Sequence, residues 1–323
     1  MPVLKAAIED LKADRLQAGW DKLERHGVIK EVTDIEVLRE RAVEQHLTAL
    51  RSGKTSLMIS PRHEEARKVA AIVRRQLKAQ DAIGAEDHAV KVLRRLDLGA
   101  EACRDLLHYA SGRVIGFHTR TAGGFRPGEK WTIRETNCET VTIERNGKTL
   151  QFKPSAKGKW DVLVSSIMQV SVGDQIRVTG GFREGKNVFK NNDIAVVREI
   201  TDTELVLNDG RRMRRDGTRI DQGVCITSYA SQCRTVDQVV VLPDGSDAKS
   251  WYVSLSRARE AMHVYTRDKA ALRQSVMHPG ERKSVWELVE ALGRLKPQSR
   301  NPIMPAFWRA RHAEIVREMG MER

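Results

Sequence analysis

The chain has 323 residues, a length that predicts about two domains, and its 40% hydrophobic and 31% charged residues are typical of a soluble globular protein. The formal net charge of +13 favours a polyanionic partner, most often nucleic acid, although a generic basic surface would give the same net charge. The four cysteines lie far apart with no C-x-x-C pair, which argues against a disulfide framework and a cysteine-based zinc site.

The sequence predicts neither a membrane segment nor export. The stretch MPVLKAAIEDLKADRLQAGW is charged throughout, so it does not form a signal peptide. No run of about 18 apolar residues occurs, which excludes a spanning helix. We therefore expect a cytoplasmic protein with no membrane partner.

The first fifty residues predict a helical segment. Apolar positions in residues 3–26 recur at about 3.6-residue spacing, and His26-Gly27 ends that run. VIKEV (28–32) predicts a short strand. A further helix is expected over roughly 33–51.

Residues 51–58, RSGKTSLM, end like an ATP-binding P-loop. A Walker A loop needs G-x-x-x-x-G-K-[ST], because its first glycine opens the turn in which backbone N–H groups wrap the phosphates. Thr48 stands where that glycine belongs, and the preceding AVEQHLTAL has helical apolar spacing. The stretch therefore predicts a helix end, with Gly53 in the left-handed conformation and Lys54 near the negative end of the helix dipole.

An α/β unit follows this helix end. SLMIS (56–60) predicts a short buried strand. Residues 63–80 have the apolar face of an amphipathic helix, with Val69 and Val73 on it. Residues 86–111 are expected to be helical as well.

From residue 113 the pattern changes to short β-rich runs separated by glycine and turn residues. Asn146-Gly147 is a strong hairpin signal, because both positions tolerate positive φ. The runs continue for about a hundred residues. They predict a small antiparallel sheet or barrel.

The α/β pattern resumes near Gly223. GVCITSYA, QVVVLP and AMHVYT predict strands, and KSWYVSLSRARE predicts a helix that carries Ser256, Arg257 and Arg259. A last helix is expected in RDKAALRQSV.

The predicted fold class is thus α/β, with an antiparallel β-barrel insertion. One domain is split into residues 51–112 and 222–278, and the β module at 113–221 interrupts it. A helical segment at 1–50 precedes this domain, and a basic helical tail at 279–323 follows it.

Two stretches of the second half carry a specific resemblance. TSYASQCRTVD (227–237) and YVSLSRAR (252–259) resemble motifs V and VI of RecD-like superfamily 1 helicases, whose patterns are close to TSHASQGKTVD and YVAxSRAR. The chain looks most like the helicase part of MobF-type (TraA/TraI-like) conjugative relaxase-helicases. Residues 114–133 and 173–197 look like the small barrel inserted in that family's second motor domain. The resemblance covers roughly residues 7–290 and implies a RecA-like, P-loop NTPase-type domain.

The same resemblance shows which family parts this sequence does not contain. The family's ATP site lies between two RecA-like domains, and no Walker A pattern occurs here. The one Walker-B-like run, VVVLPDG (239–245), ends in Asp-Gly, and no H-x-H exists for a relaxase nuclease. We expect ATP and Mg²⁺ to bind only with a complementing first motor domain, on a separate polypeptide or in missing N-terminal sequence. For the chain alone we expect no metal, no cofactor and no ATP hydrolysis.

The resemblance implies roles for individual residues. Arg257 takes the place of the motif VI arginine, the catalytic residue that reaches the γ-phosphate, where a planar and permanently charged group suits the developing charge. Gln232 and Thr235 resemble further nucleotide contacts. The implied contacts to phosphates and sugars of single-stranded DNA are Thr227, Ser228 and Tyr229.

Three positions depart from the family pattern. Cys233 replaces a glycine, Tyr229 replaces a histidine and Arg234 replaces a lysine. If the glycine serves a positive φ or a close backbone approach, cysteine costs about 1 kcal/mol or more. Arginine in place of lysine keeps the charge.

The basic run RRMRRDGTR (211–219) has two open interpretations. Its arginines grip a tracked or displaced DNA strand, or they form a solvated hairpin edge whose charge prevents strand pairing. The arginines concerned are Arg211, Arg212, Arg214 and Arg215.

Three functions stay open from the sequence. The first is the C-terminal half of an ATP-dependent, 5′-to-3′ DNA helicase of plasmid conjugation, which contributes single-stranded DNA binding and the motif VI arginine. The second is a stand-alone module that binds single-stranded nucleic acid. The third is an inactive truncated remnant, which Cys233 and the missing first half favour.

Overall fold

The computed structural model describes residues 2–96, 98–99, 102–120, 124–126, 128–155 and 159–278. The predicted helical tail at 279–323 lies outside this range. Within it the helices are α1 (Pro2–Lys12), α2 (Leu16–Arg25), α3 (Ile35–Arg51), α4 (His63–Ala79), α5 (Ala248–Leu255) and α6 (Lys269–Val276). None of these helices is both long enough and apolar enough to cross a membrane.

The strands fall into one parallel sheet and several antiparallel ones. In chain order they are β1 (Ile29–Glu31), β2 (Ser56–Ile59), β3 (His88–Arg95), β4 (Val114–Phe117), β5 (Lys130–Thr136), β6 (Val141–Arg145), β7 (Lys148–Phe152), β8 (Trp160–Val170), β9 (Gln175–Val178), β10 (Phe182–Glu184), β11 (Asn187–Phe189), β12 (Ile194–Ile200), β13 (Glu204–Leu207), β14 (Arg212–Arg214), β15 (Ile220–Gln222), β16 (Cys225–Ile226), β17 (Val236–Val241) and β18 (Ala258–Thr266).

The parallel sheet has the strand order β1-β18-β17-β2-β16. Apolar side chains of α1, α2, α5 and α6 cover one face, where Trp20 packs 5.9 Å from Trp251 between ring centroids. Side chains of α3 and α4, such as Leu47 and Val73, cover the other face. A parallel sheet needs helices on both faces because its strands are apolar on both sides. The α/β class predicted from the sequence is therefore confirmed.

Three helices of this region, α3, α5 and α6, begin at aspartates. The side chain of Asp34 accepts hydrogen bonds from the first turn of α3, and Asp247 and Asp268 do the same for α5 and α6. Such caps satisfy N–H groups that have no partner inside the helix. The predicted strands at 28–32 and 56–60 and the predicted helices at 33–51 and 63–80 are all present.

Two antiparallel sheets stand between α4 and β16 in the chain. Their strand orders are β3-β8-β4-β5-β6-β7 and β14-β13-β12-β9-β15, and β10 and β11 form a separate hairpin. The turn between β6 and β7 places Asn146 at φ +50° and Gly147 at φ +76°, as its sequence predicts. The antiparallel character is confirmed, whereas barrel closure and the domain limits 51–112, 113–221 and 222–278 stay predictions.

The helix predicted over residues 86–111 is wrong. Residues 88–95 form β3, which pairs along its whole length with β8, and only two short 3₁₀ turns follow, Ala102–Arg104 and Leu106–His108. The cause lies in HAVKVLRR, whose alternating Val90 and Val92 are fully buried. A period of two marks a strand, and its β-branched side chains favour that conformation.

The helix predicted over KSWYVSLSRARE is too long. It ends at Leu255, and β18 begins at Ala258. The Ser256 hydroxyl donates to the Val253 carbonyl at 3.0 Å, which satisfies an end carbonyl of α5. Arg257 therefore lies in a turn between helix and strand, not on a helix face.

Candidate nucleotide and nucleic-acid site

The connection between β16 and β17, residues 227–235, contains both the predicted DNA contacts and two of the predicted nucleotide contacts. Ile226 at the end of β16 lies opposite Ile59, at the carboxyl end of β2. Gln238 in β17 lies opposite Ser56, at the amino end of β2. Because β16 and β17 both run parallel to β2, residues 227–235 cross from the carboxyl edge of the sheet to its amino edge.

The first part of this connection is a hydrogen-bonded turn that presents the predicted DNA contacts. The Ser231 N–H donates to the Thr227 carbonyl at 3.0 Å, and the Ser231 hydroxyl donates to the Ser228 carbonyl at 2.6 Å. Ser231 is buried, and Ala230 packs into the apolar core. Tyr229 remains 71% exposed, so its ring offers an open stacking surface at the carboxyl edge.

The second part of the connection carries two of the predicted nucleotide contacts. Gln232 and Thr235 are exposed, as is Cys233 between them. Cys233 has a φ of +62°, a left-handed conformation that costs a residue with a Cβ about 1–2 kcal/mol. The family's glycine would adopt it without strain. The Arg234 Nη2 donates to a backbone carbonyl of the inserted sheets, that of Asn192.

Arg257 is already engaged by backbone carbonyls. Its Nε donates to the Val253 carbonyl at 3.0 Å and its Nη1 to the Arg234 carbonyl at 3.4 Å, while Nη2 donates to the Ser256 hydroxyl at 2.8 Å. The guanidinium thus caps the end of α5 and ties it to the connection 227–235. Three of its five N–H donors are used, so two remain for another acceptor.

Two of the three predicted nucleotide residues lie at one edge of the sheet. Val236 pairs with Ala258 across β17 and β18, so the preceding residues Thr235 and Arg257 lie side by side at the amino edge. Gln232 precedes them by one turn of chain and contacts neither of them among the hydrogen bonds of the described residues.

The P-loop-like stretch forms a helix end, as predicted. Gly53 has a φ of +75°. The Gly53 N–H donates to the Leu50 carbonyl and the Lys54 N–H to the Ala49 carbonyl, each at 3.0 Å. A phosphate cradle would need such N–H groups directed at the ligand, so RSGKTS does not fit the phosphates of ATP. The Lys54 ammonium instead pairs with Glu260 at 2.9 Å.

Thr55 joins the starts of two strands. Its N–H and its hydroxyl donate to Asp237 Oδ2 at 2.9 and 2.6 Å, and the Asp237 N–H donates back to the Thr55 hydroxyl at 2.9 Å. These hydrogen bonds from Thr55 hold the pKa of the Asp237 carboxyl below its usual range, with a smaller contribution from Arg259. Thr55, in the position of the Walker A serine or threonine, therefore links the start of β2 to the start of β17.

The basic run 211–215 divides into engaged and exposed arginines. Arg211 contacts Asp209 at 2.7 Å and Asp193 at 2.9 Å, and its guanidinium lies 5.0 Å from the centroid of the Phe189 ring. Contacts with two acids and an aromatic ring make it part of the structure of the inserted sheets.

The other three arginines of the run are less tightly held. Arg215 donates from Nε to the Ala89 carbonyl at 3.1 Å. Arg212 lies 3.4 Å from Glu204, and its side chain is 57% exposed. Arg214 is exposed, and its side chain makes no hydrogen bond or ion pair within the described part of the chain.

The structure also gathers arginines that sequence analysis missed. Arg67 of α4, Arg94 of β3 and Arg177 of β9 meet around Asp221 of β15. These residues are too far apart in the chain for any local pattern to connect them. Only the overall positive charge of the sequence hinted at such a cluster.

No metal site emerges from the side chains that the structure describes. In residues 2–278, apart from the undescribed positions, no group of three or more His, Cys, Asp or Glu side chains is placed to hold a metal ion.

Comparison with known proteins gives only weak structural likeness. No family model and no curated protein matches the chain. Among solved structures it is similar to the Pif1 helicase from Bacteroides in complex with ADP-AlF3 and ssDNA, with a TM-score of 0.32 and 13% identity over 91% of this chain and 55% of that chain. It is also similar to the Pif1 helicase from Candida albicans, with a TM-score of 0.34 and 14% identity over 80% of this chain and 57% of that chain.

The chain therefore spans little more than half the length of each of these helicases. At these TM-scores the likeness carries no argument about function, and the α/β class rests on the parallel sheet itself. Both neighbours are Pif1 helicases, so the conjugative relaxase-helicase type belongs to the proposal below.

Proposed function

We propose that the chain is the second motor domain of an ATP-dependent DNA helicase, of the conjugative relaxase-helicase type that motifs V and VI resemble. In this role the parallel-sheet region is RecA-like, and the antiparallel sheets are its barrel insertion. The domain contributes contacts to single-stranded DNA and the motif VI arginine. The P-loop comes from a first motor domain on another polypeptide or elsewhere in a longer chain. A cytoplasmic location belongs to this proposal.

The observation that carries the proposal is the path of residues 227–235. A motor domain must couple its nucleotide side to its DNA side, and this connection runs between two edges of one sheet. Exposed Tyr229 lies towards one end of it, and Thr235 beside Arg257 lies at the other. Its middle is held by the buried Ser231 and by Ala230 in the core, and in this proposal the connection couples its two ends.

The side chains of this connection suit sequence-independent contacts with a single strand. Thr227 and Ser228 are half-buried hydroxyl residues of the kind that hydrogen-bond phosphates and sugars. Tyr229 stacks on a base, which is typically worth about 1–3 kcal/mol and tolerates any base. Binding of this kind follows a strand without reading its sequence.

The nucleotide side of the chain is incomplete by itself. ATP with Mg²⁺ supplies the phosphoryl group that is hydrolysed, and an arginine stabilises the charge that develops on it. Arg257 keeps two N–H donors for that purpose. The N–H groups of Gly53 and Lys54 bond to α3 instead of a phosphate, which supports a cradle supplied by the first motor domain.

Two measurements on the purified chain test this proposal. Fluorescence anisotropy of labelled oligo-dT should show binding that weakens with salt, by a slope of about 0.7 in log affinity per phosphate neutralised. Addition of ATP should leave that binding unchanged, and an ATPase assay should give no turnover. ATP hydrolysis by the chain alone would contradict the assignment of the P-loop to another domain.

A second candidate is a stand-alone module that binds single-stranded nucleic acid. The contacts of Arg257 favour it, because this guanidinium already caps α5 and joins it to the connection. Tyr229→Ala tests strand binding in either case, with loss of affinity expected. Restoration of ATPase activity by an added first motor domain would select the helicase. No such restoration with intact strand binding would select the module.

A third candidate, an inactive remnant, is favoured by the strain at Cys233. It predicts no measurable binding of oligo-dT even at low salt. Under the helicase and the module, binding is tightest at low salt, so the same titration separates this candidate from both.

A further inference from the structure

Four arginines meet where the inserted sheets join the parallel-sheet region. They come from four separate elements, namely α4, β3, β9 and the connection 227–235. We call them, with one acid, the junction cluster. Its members are Arg67, Arg94, Arg177, Arg234 and Asp221.

Arg177 forms the floor of the junction cluster. It lies directly opposite Asp221 across β9 and β15, and it is only 7% exposed. Its Nη1 donates to Asn192 Oδ1 at 3.0 Å, but its buried Nε has no hydrogen-bond partner among the described residues. Leaving a buried donor of a charged group unpaired destabilises the fold more than leaving a neutral donor unpaired.

Arg67 and Arg94 form the accessible rim. Arg67 donates from Nε and Nη2 to Asp221 Oδ2 at 3.2 and 3.1 Å. Arg94 Nη2 lies 3.7 Å from Asp221 Oδ1, and the buried Arg94 Nε has no partner in the described part of the chain. The two side chains are 38% and 30% exposed, so solvent reaches the cluster from this side.

Positive charge in the junction cluster exceeds what its acid can neutralise. Asp221 balances one guanidinium of four. The next acid, Asp193, pairs at 2.9 Å with Arg211 outside the cluster, and its charge also opposes the lowering of the Arg234 pKa by burial, so it is shared between two arginines. Burial lowers the pKa of Arg94, of Arg177 and of Arg234, and neighbouring guanidinium groups lower it further for the first two. Buried charges are normally paired, because desolvation of an unpaired one destabilises the fold.

An anion is the simplest way to balance such a group. Planar guanidinium groups donate two parallel hydrogen bonds to phosphate, which has oxygens enough for several of them. Arg94 and Arg177 each have a buried Nε–H without a hydrogen-bond partner among the described residues, and Arg234 is linked to Arg177 through Asn192. We propose that the junction cluster is a binding site for one phosphate group, either a backbone phosphate of single-stranded DNA or a free phosphate.

The DNA form of this inference deepens the proposed strand binding and rests on it, whereas the free-phosphate form does not. Arg94→Gln is the most direct variant, because the Arg94 side chain makes no hydrogen bond to the described residues. Arg94→Met serves as a second variant that keeps the apolar stem. Arg75→Gln is the matched control: it removes the same charge from the exposed face of α4, where Arg75 is 66% exposed.

The first arm measures thermal unfolding with inorganic phosphate against sodium chloride at equal ionic strength. A ligand of the folded state raises Tm with its concentration. We expect the parent and Arg75→Gln to show a phosphate-dependent rise, and both Arg94 variants to lose it. The Arg94 variants should also have an equal or higher Tm without phosphate, because they remove an uncompensated charge.

The second arm measures oligo-dT affinity against salt for the same proteins. A DNA phosphate in the junction cluster predicts that the slope of log affinity against log salt falls by about 0.7 in both Arg94 variants and by less in Arg75→Gln. Loss of the phosphate-dependent Tm rise with an unchanged DNA slope would instead identify free phosphate as the ligand.

The two proposals fail in different ways. If the parent binds oligo-dT and the Arg94 variants match Arg75→Gln in both arms, the phosphate site is overturned and strand binding stands. If the parent does not bind oligo-dT but loses its phosphate-dependent Tm rise on mutation of Arg94, the proposed function fails and the site stands for free phosphate. A parent with no phosphate-dependent Tm rise and no Arg94-dependent slope contradicts the inference outright.

Discussion

The parallel-sheet region (residues 2–79 and 223–278) and the inserted region (residues 88–222) treat buried polar groups differently. In the first, they find partners: His46 Nδ1 lies 2.8 Å from the Ser56 hydroxyl, and Gln238 Nε2 donates to the Gln45 carbonyl at 3.0 Å. Among the described residues, only Trp251 Nε1 is buried there without a partner. In the inserted region, eight described residues have a buried side-chain nitrogen or oxygen without a hydrogen-bond partner: Arg94, Thr119, Asp161, Ser166, Arg177, Thr218, Arg219 and Gln222.

The buried polar groups of the parallel-sheet region stabilise the fold through their hydrogen bonds. Those of the inserted region are available to a ligand or to water. One atom of the inserted set is electrostatically balanced even so, since Asp161 Oδ2 lies 2.9 Å from Arg219 Nη2 without hydrogen-bond geometry. The others cost stability unless something outside the chain satisfies them. The inserted region is therefore where binding should change stability most.

The largest effect is expected at the one unpartnered atom of the parallel-sheet region. Trp251 is 1% exposed and packs against Trp20. Trp251→Ala should lower the free energy of unfolding by about 3–5 kcal/mol, because it opens a cavity in this core. Urea denaturation followed by circular dichroism measures the change.

Trp251→Phe is the control for the indole N–H. It keeps an aromatic ring against Trp20 but removes the unpaired donor, so its cost should be well below that of alanine. An equal loss of unfolding free energy in the two variants would show that the Trp251 N–H has a hydrogen-bond partner. The parallel-sheet region would then contain no buried unpartnered side-chain atom among its described residues.

The second prediction concerns the paired histidine of the parallel-sheet region. Burial lowers the pKa of His46 from its ordinary 6.5 to about 4. Between these values the unfolded chain takes up a proton that the folded chain does not, so stability falls as pH decreases from 6.5 towards 4. The contribution is about 3 kcal/mol across this window. Above pH 6.5 both states are neutral at this position and the effect is absent.

His46→Gln should remove this pH dependence, because glutamine does not titrate and can still bond to Ser56. The measurement is the difference between the unfolding free energies of parent and variant from pH 7 to pH 4. A difference that stays constant over this range would mean that the pKa of His46 is the same in the folded and the unfolded chain.

The third prediction divides the basic run of the inserted region. Arg211→Gln should cost about 2 kcal/mol of stability, because it breaks charged hydrogen bonds to Asp209 and Asp193. The exposed Arg214→Gln serves as the matched control and should leave the unfolding free energy unchanged. Oligo-dT affinity then decides between the two interpretations of the run: a loss in Arg214→Gln means strand contact, and no loss means a solvated hairpin edge.

The sequence predicted the parallel-sheet region well and the inserted region poorly, for a physical reason. Local periodicity predicts helices and buried strands, as it did for residues 33–51 and 56–60. RSGKTS was correctly predicted as a helix end. HAVKVLRR carries a local strand signal in its alternating Val90 and Val92, but the run is short and its strand partners, residues 163–170, lie some seventy residues further along. Short apolar runs leave helix and strand ambiguous when no pairing partner is adjacent in the sequence.

The candidate site divides in the same way. The stretches that resemble motifs V and VI are continuous in sequence, so their residues could be named from the sequence alone. The junction cluster is not, since Arg67 and Asp221 meet from opposite sides of the insertion. The bond between Thr55 and Asp237 was missed for the same reason, although both residues stood in stretches already singled out.

The smallest effect is expected at Cys233, in the connection 227–235 of the parallel-sheet region. Its φ of +62° is the conformation that a glycine adopts freely and that a Cβ opposes. Cys233→Gly should therefore raise the free energy of unfolding by about 1 kcal/mol. Cys233→Ala is the control, because it removes the thiol but keeps the Cβ, and it should give no such gain. A gain in both variants would trace the effect to the thiol instead of the backbone, and a loss in Cys233→Gly would mean that flexibility of this turn outweighs its strain.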